Sequence, residues 1–227
     1  MLLTAHGAAR LLGTSERQIY RWVDDNEIPC RRVRDQLRFN PTDLLEWATT
    51  QRMAVHVEAF EDDDPADRPP SLAAALRQGR VLDGVAGADR EAVLRAIVGE
   101  LPLPDTFDRE LLIEVMLARE ASAVTPIGDG IAIPQVRNPI VAARAQPEIT
   151  VCYLATPIAF GGADGTIRTI IVAVVPTVRT HLRMLARLAR ALADETFRAA
   201  LDRRAARDEL VGVAERIEAA PPVMEAE

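Results

Sequence analysis

Between residues 51 and 71 the chain carries Glu61-Asp62-Asp63-Asp64 followed by Pro65, Pro69 and Pro70. Four adjacent carboxylates repel one another, and proline removes a backbone donor and fixes φ, so no helix or inner strand crosses this stretch. The chain is therefore expected to divide into a small N-terminal unit at 1–52, a spacer at 53–71, a larger unit at 72–219, and a short frayed tail at 220–227. A carboxylate run can bind a cation only when a fixed loop aims its oxygens inward, so a solvated spacer is the simpler reading.

The two units differ in charge. Residues 1–52 hold 8 Arg against 7 Asp and Glu, and the rest holds 19 Arg against 27 acids. A near-neutral head on an acidic body suggests different partners for each. No apolar run approaches the roughly 20 residues of a membrane span, which argues against membrane insertion. Residues 1–9 lack the basic start and long apolar core of a signal peptide. Cys30 and Cys152 stand far apart and share no metal or redox spacing with the three histidines. These features predict a cytoplasmic protein that needs no metal and no cofactor, in which both cysteines act as small packing residues.

In the head, 4–12 reads as a helix with Thr4 as its N-cap, and Gly13 breaks it. Thr14 or Ser15 then caps a second helix whose Ile19, Trp22 and Val23 recur at helical spacing and face a core. The same helix carries Arg17, Gln18, Tyr20 and Arg21 on its other surfaces. Residues 30–39 bring Arg31, Arg32, Arg34 and Arg38 around a turn, as a short hairpin would, and Pro41 opens a third helix. On Thr4-Ala5, Ala8-Ala9-Arg10-Leu11-Leu12, residues 15–23, Ile28-Pro29 and Arg38-Phe39, the head resembles the excisionase or MerR-like winged helix-turn-helix family. The resemblance implies DNA binding, with Arg17, Gln18, Tyr20 and Arg21 at the major groove. Arg31, Arg32 and Arg38 would neutralise wing-side phosphates. So small a unit also implies a homodimer on paired half-sites. The alternative is a solvated Arg-rich surface or a protein-binding module.

The body reads as α/β. Amphipathic helices are expected at 89–100, with Ala92, Val93, Ala96 and Ile97 inward, and at 108–120, with Leu111, Leu112, Val115 and Met116 on one side. β-rich runs follow at 139–143, 149–155 and 169–175. A long helix at 180–193 buries Leu182, Leu185, Leu188, Ala189 and Leu192 and exposes Arg183, Arg187 and Arg190. Between them lies Thr125-Pro126-Ile127-Gly128-Asp129-Gly130-Ile131-Ala132-Ile133-Pro134-Gln135. Its glycines permit a tight turn at positive φ, 131–133 is a short buried strand, and Pro134 ends its pairing, so residue 135 emerges at a rim.

That segment resembles the active-site stretch of phosphotransferase-system enzyme IIA domains of the fructose/mannitol and nitrogen-related type. There the motif runs roughly T-G-I-G-x-G-I-A-I-P-H, and the final His carries a phosphoryl group. Further matches are Ala118-Arg119-Glu120, Thr156-Pro157-Ile158-Ala159-Phe160, Val174-Val175-Pro176 and Thr180-His181-Leu182. The resemblance implies a mixed-sheet enzyme IIA-type domain with flanking helices. It places Arg119, Thr125 and His181 around the phosphoryl position and puts Gln135 where the acceptor His would stand. An amide nitrogen is not nucleophilic, because its lone pair is delocalised into the carbonyl. The expected role is a non-catalytic module, without phosphotransfer activity, that binds the His-containing phosphocarrier protein or another phosphotransferase component and reports to a DNA-binding head. Two other readings stay open: phosphorylation at another residue such as His181, and binding of a small anionic effector at the Arg119, Thr125, His181 pocket.

Overall fold

The computed structural model describes residues 2–34, 36–53, 55–56, 71–120, 126–134, 140–141, 146–159 and 166–220. The acidic and Pro-rich run lies outside them.

The head contains α1 (Ala5–Leu11), α2 (Glu16–Asp24), the strand pair β1 (Arg31–Val33) and β2 (Gln36–Arg38), and α3 (Pro41–Thr50). Each helix begins where a side-chain oxygen can take an orphan N–H. Thr4 accepts from Gly7, Ser15 from Gln18 and Asn40 from Thr42. Gly13 turns between α1 and α2 at φ +60°, and Arg34 turns the hairpin at φ +48°. An edge-on contact between Trp22 and Trp47, 5.1 Å between ring centroids, ties α2 to α3. Met53 and Val55 then pack back on the apolar cluster, and the His56 N–H donates to the Leu11 carbonyl at 2.9 Å.

The body continues with α4 (Leu72–Gln78), β3 (Val81–Val85), α5 (Arg90–Glu100), α6 (Arg109–Glu120), β4 (Pro126–Gly128), β5 (Ile131–Ala132), β6 (Ile140–Val141), β7 (Glu148–Ala159), β8 (Thr166–Val175), α7 (Val178–Ala193), α8 (Glu195–Asp202) and α9 (Arg207–Ala219). The sheet order is β3-β7-β8-β5-β4, with β6 also on β8. β7 and β8 are antiparallel, whereas β3 on β7, and β5 and β6 on β8, are parallel. The mixed sheet is covered on both faces. Ile149, Val151, Tyr153, Ile171, Ala173 and Val175 point to the side of α4, α7, α8 and α9. Cys152, Leu154, Ile170, Val172 and Val174 point to α5 and α6. Two covered faces explain why β7 and β8 are nearly unbroken apolar runs rather than alternating ones.

The head is not separate from this layer. Leu44, Leu45 and Ala48 of α3 belong to the same apolar cluster as Met184, Leu185 and Leu188 of α7, and α3 packs on α7 and β4.

Three expectations are corrected. In α5 the buried side is Val93, Leu94, Ile97 and Val98; Ala96 is exposed and Ala92 half-buried, because the larger aliphatics take the sheet-facing arc. In α6 Leu111 is exposed, while Ile113 and Met116 are buried. Arg183 is not in an exposed stripe but 3 % accessible, and Arg187 and Arg190 are half-buried. α7 meets β8, α3, α4 and α8, so little of its circumference reaches water.

Candidate functional site

In the head, the fully buried Ile19 anchors α2 and turns its opposite side outward. Arg17, Tyr20 and Arg21 are exposed and Gln18 is half-buried. In the hairpin Arg31 stands opposite Arg38, and Arg32 opposite Leu37. Arg31 and Arg32 are exposed. Arg38 is half-buried, its guanidinium donating to the Leu37 carbonyl at 3.0 Å and to the Gln36 side chain. Tyr20 and Arg38 line one cleft with His6, Glu16 and Gln36, so α2 and the hairpin form a joint surface. Glu16 puts a carboxylate at the start of α2, 3.0 Å from His6 Nδ1. Arg21 lies 4.0 Å from Asp25, a loose exposed pair that leaves its guanidinium available. The helix α2 and its neighbouring hairpin thus both present exposed arginines.

In the body, Gly128, Asp129 and Gly130 all adopt positive φ (+90°, +52° and +71°) and reverse the chain between β4 and β5. Ile131, Ala132 and Ile133 are buried behind the turn. The Gly130 carbonyl accepts from Arg168 N–H at 2.8 Å and Thr169 N–H at 3.1 Å, fixing the strand against β8. β5, β6 and β8 run parallel; β5 lies level with Thr169 and Ile170, β6 with Val174 and Val175 at the C-terminal end of β8, and α7 starts just beyond it. His181 occupies the first turn of α7, where Thr177 caps the helix by accepting from Thr180 N–H at 3.1 Å. It is 1 % accessible. Arg119 is the penultimate residue of α6; its side chain, and the whole of Thr125 and Gln135, lie outside the described residues. The structure thus places His181 just beyond the C-terminal end of β8 and buries Pro134 after β5. The other expected members of that site are untested by the described geometry.

Asp129 is the residue that reading the motif by itself missed. Its carboxylate lies 2.7 Å from Arg52 of the head and 3.5 Å from Arg198 of α8. Its carbonyl accepts from Arg168 at 3.0 Å. The only signal in the sequence was its place between two glycines. Cys152 is wholly buried, and burial pushes its thiol up to about 12, which makes it an inert packing group. Among the described residues no three His, Cys, Asp or Glu side chains gather as a metal site, and no helix is long and apolar enough to cross a membrane.

The model of the EIIA 2 family of the phosphoenolpyruvate-dependent sugar phosphotransferase system matches residues 76–215, more than half of the chain. The chain belongs to this family. A helix-turn-helix domain model matches residues 2–52. The nitrogen regulatory protein of Pseudomonas aeruginosa is 34% identical over 142 residues, which cover 60% of this chain and 82% of that protein. The transcriptional repressor DcmR of Methylorubrum extorquens is 37% identical over 78 residues, 34% of this chain and 28% of the repressor. Among solved structures, a putative PTS IIA (PtxA) from Streptococcus mutans shares the fold at a TM-score of 0.51 and 14% identity, covering 69% of this chain and 99% of that one. The family's fold is thus joined in one chain to a helix-turn-helix unit.

Proposed function

We propose that this protein is a cytoplasmic DNA-binding transcriptional regulator, acting as a homodimer, whose EIIA-type domain serves as a sensing module rather than a phosphotransferase. The observation that carries this reading is the division of the head's surface. Arg17, Tyr20, Arg21, Arg31 and Arg32 are exposed, while α3 is committed to the body. A DNA-reading face is left free, and the body is attached behind it. The similarity to a transcriptional repressor supports the same assignment.

Gln135 at the position of the acceptor His removes the covalent step but not binding. A partner such as the His-containing phosphocarrier, or a small anionic effector, would bind at the end of the sheet near His181 and change the affinity of the head for its operator. Phosphorylation at His181 is the weaker alternative, because a side chain 1 % accessible is poorly placed for in-line attack on a phosphoryl donor.

Capture of fragmented genomic DNA on the purified full-length protein tests the regulator reading. Discrete loci, lost with Arg17→Ala/Arg21→Ala, are the expected result. Equal recovery by both proteins across several salt concentrations would sink it. Incubation with phosphoenolpyruvate and the upstream transfer proteins, followed by intact-mass measurement, tests the sensing module: no mass gain in the wild type is expected. A phosphoryl mass gain abolished by His181→Ala would make the protein a phosphocarrier instead.

A further inference from the structure

Two elements of the body run from the candidate site to the head. The β5 segment leaves the Gly128-Asp129-Gly130 turn and ends at Pro134, the residue before Gln135 in the sequence, a span of about 13 Å at ~3.3 Å per residue. α7 carries His181 in its first turn and runs back through 16 residues, about 24 Å, before α8 begins. The far ends of both converge on one side chain. Arg198 of α8 donates to the Leu192 carbonyl near the end of α7 at 2.6 Å, and its Nε lies 3.5 Å from Asp129. Arg52 of the head completes the group, 2.7 Å from the other carboxylate oxygen of Asp129.

The backbone at both members of that contact is unusual. Asp129 and Arg52 are non-glycine residues at φ +52° and +56°. Arg52 follows the C-terminus of α3, the position where glycine is the default because it carries no Cβ to strain. Its N–H donates to Thr49, and that of Met53 donates to Ala48, which closes the helix in this conformation. An arginine thus occupies a left-handed backbone position, and its guanidinium meets a carboxylate 77 positions away.

We propose that the Arg52–Asp129 contact is a relay through which the candidate site of the EIIA-type domain sets the placement of the helix-turn-helix head, with Asp129 as the positioning residue. This rests on the regulatory reading above. The apolar joint between α3 and α7 holds the head; a partly exposed ion pair shifts an equilibrium only about two- to fivefold. The pair therefore tilts the head rather than attaching it. A displacement at the site end of β5 or α7 reaches Asp129 and Arg198 together, and Arg52 follows.

The test is hydrogen–deuterium exchange of the full-length protein without DNA, read on the peptide covering α3. Two changes are made at the ends of β5 and α7 away from the head, Pro134→Ala and His181→Gln, so that a misfolded variant of one leaves the other. Arg52→Gly and Asp129→Asn remove the pair while suiting positive φ. In the wild type each site-end change alters α3 exchange by about twofold or more. In the Arg52→Gly and Asp129→Asn backgrounds the same change leaves α3 exchange unaltered, a non-additivity that a merely structural pair would not give. An α3 that ignores both site-end changes, or answers them equally with and without Arg52, overturns the proposal. Failure of the genomic capture with this response intact removes the regulator reading and supports the relay as a property of the fold.

Discussion

Glu218, near the end of α9, accepts the Leu72 backbone N–H at 2.6 Å across 146 positions. The same carboxylate accepts from Ala73 at 3.3 Å and lies 3.0 Å from Arg187 of α7. The first turn of α4 has no acidic residue of its own, and Ser71 takes only the Ala74 N–H. Glu218 supplies both the missing acceptor and the negative charge that a helix N-terminus favours. The last turn of α9 thereby caps the first turn of α4.

Replacement by alanine removes two N–H acceptors and a carboxylate from an Arg187 that is 16 % exposed. Glu218→Ala is expected to destabilise the body by about 2–3 kcal/mol, the sum of a cap and a charged hydrogen bond in partial burial. Glu218→Gln, which retains the acceptor oxygen, should lose about half as much. Urea unfolding followed by far-UV circular dichroism separates them; equal losses would assign the effect to charge alone.

Two glycines give opposite predictions from their surroundings. A Cβ on Gly79 would stand 1.9 Å from the Ile149 carbonyl oxygen and 2.5 Å from its carbon, and neither can move without shifting β7. Gly79→Ala should cost more than about 3 kcal/mol or prevent folding. Gly99, in the last turn of α5, has no neighbour within 4 Å of its would-be Cβ. Gly99→Ala should stabilise by about 0.5–1 kcal/mol through helix propensity and the entropy of the unfolded chain. Thermal melting of the two variants side by side checks the pair.

Alkali should unfold this protein through β7. Burial pushes the Cys152 thiol from 9.0 up to about 12. Burial, and secondly the Asp83 carboxylate, push the Tyr153 phenol from 10.0 up to about 12. In both groups the folded state favours the neutral form, so the stability they contribute is complete below the unfolded values and is lost as pH rises through the folded ones. The urea midpoint is expected to hold up to about pH 9 and to fall steadily between pH 9 and 12. Cys152→Ala should soften the lower part of that fall; an unchanged profile would mean that the thiol does not titrate with unfolding.

The sequence carried the local structure well and the joint between the units poorly. Capping residues and prolines mark the helix starts at Thr4, Ser15, Asn40 and Asp89 because those signals act within four residues. The positive-φ turn at Gly128 and Gly130 was legible for the same reason. β3 escaped because Asp83-Gly84 interrupts its apolar run, and its pairing with β7 is decided by residues about 70 positions away. Arg183 looked like a solvent-facing residue on an amphipathic helix, since periodicity records one buried face and is blind to a second layer added from elsewhere in the chain. The same blindness hid Arg52–Asp129. Of the candidate site, His181 and the strand leading to Pro134 could be set in place, whereas Arg119, Thr125 and Gln135 rest on resemblance.

The head's arginines should separate into readers and neutralisers. Arg17 and Arg21 project from α2, exposed and, among the described residues, without a short ion pair. Each bidentate contact to a base is worth about 1–3 kcal/mol of discrimination, so Arg17→Ala and Arg21→Ala should weaken the best site and relax its sequence preference. Arg31 and Arg32 are exposed on the hairpin, and under the proposed function they neutralise phosphates. Their alanine variants should weaken all sequences alike and lower the slope of log affinity against log salt by about one each. Arg38 differs from both groups, because its guanidinium already serves the Leu37 carbonyl and Gln36. Arg38→Ala should act mainly by loosening the hairpin, with a smaller change in salt slope than Arg31→Ala. Binding isotherms on a captured fragment and on a scrambled duplex, at three salt concentrations, resolve the three classes. If all five substitutions lower affinity equally on both duplexes, the head neutralises charge without reading sequence, and α2 is not a recognition helix.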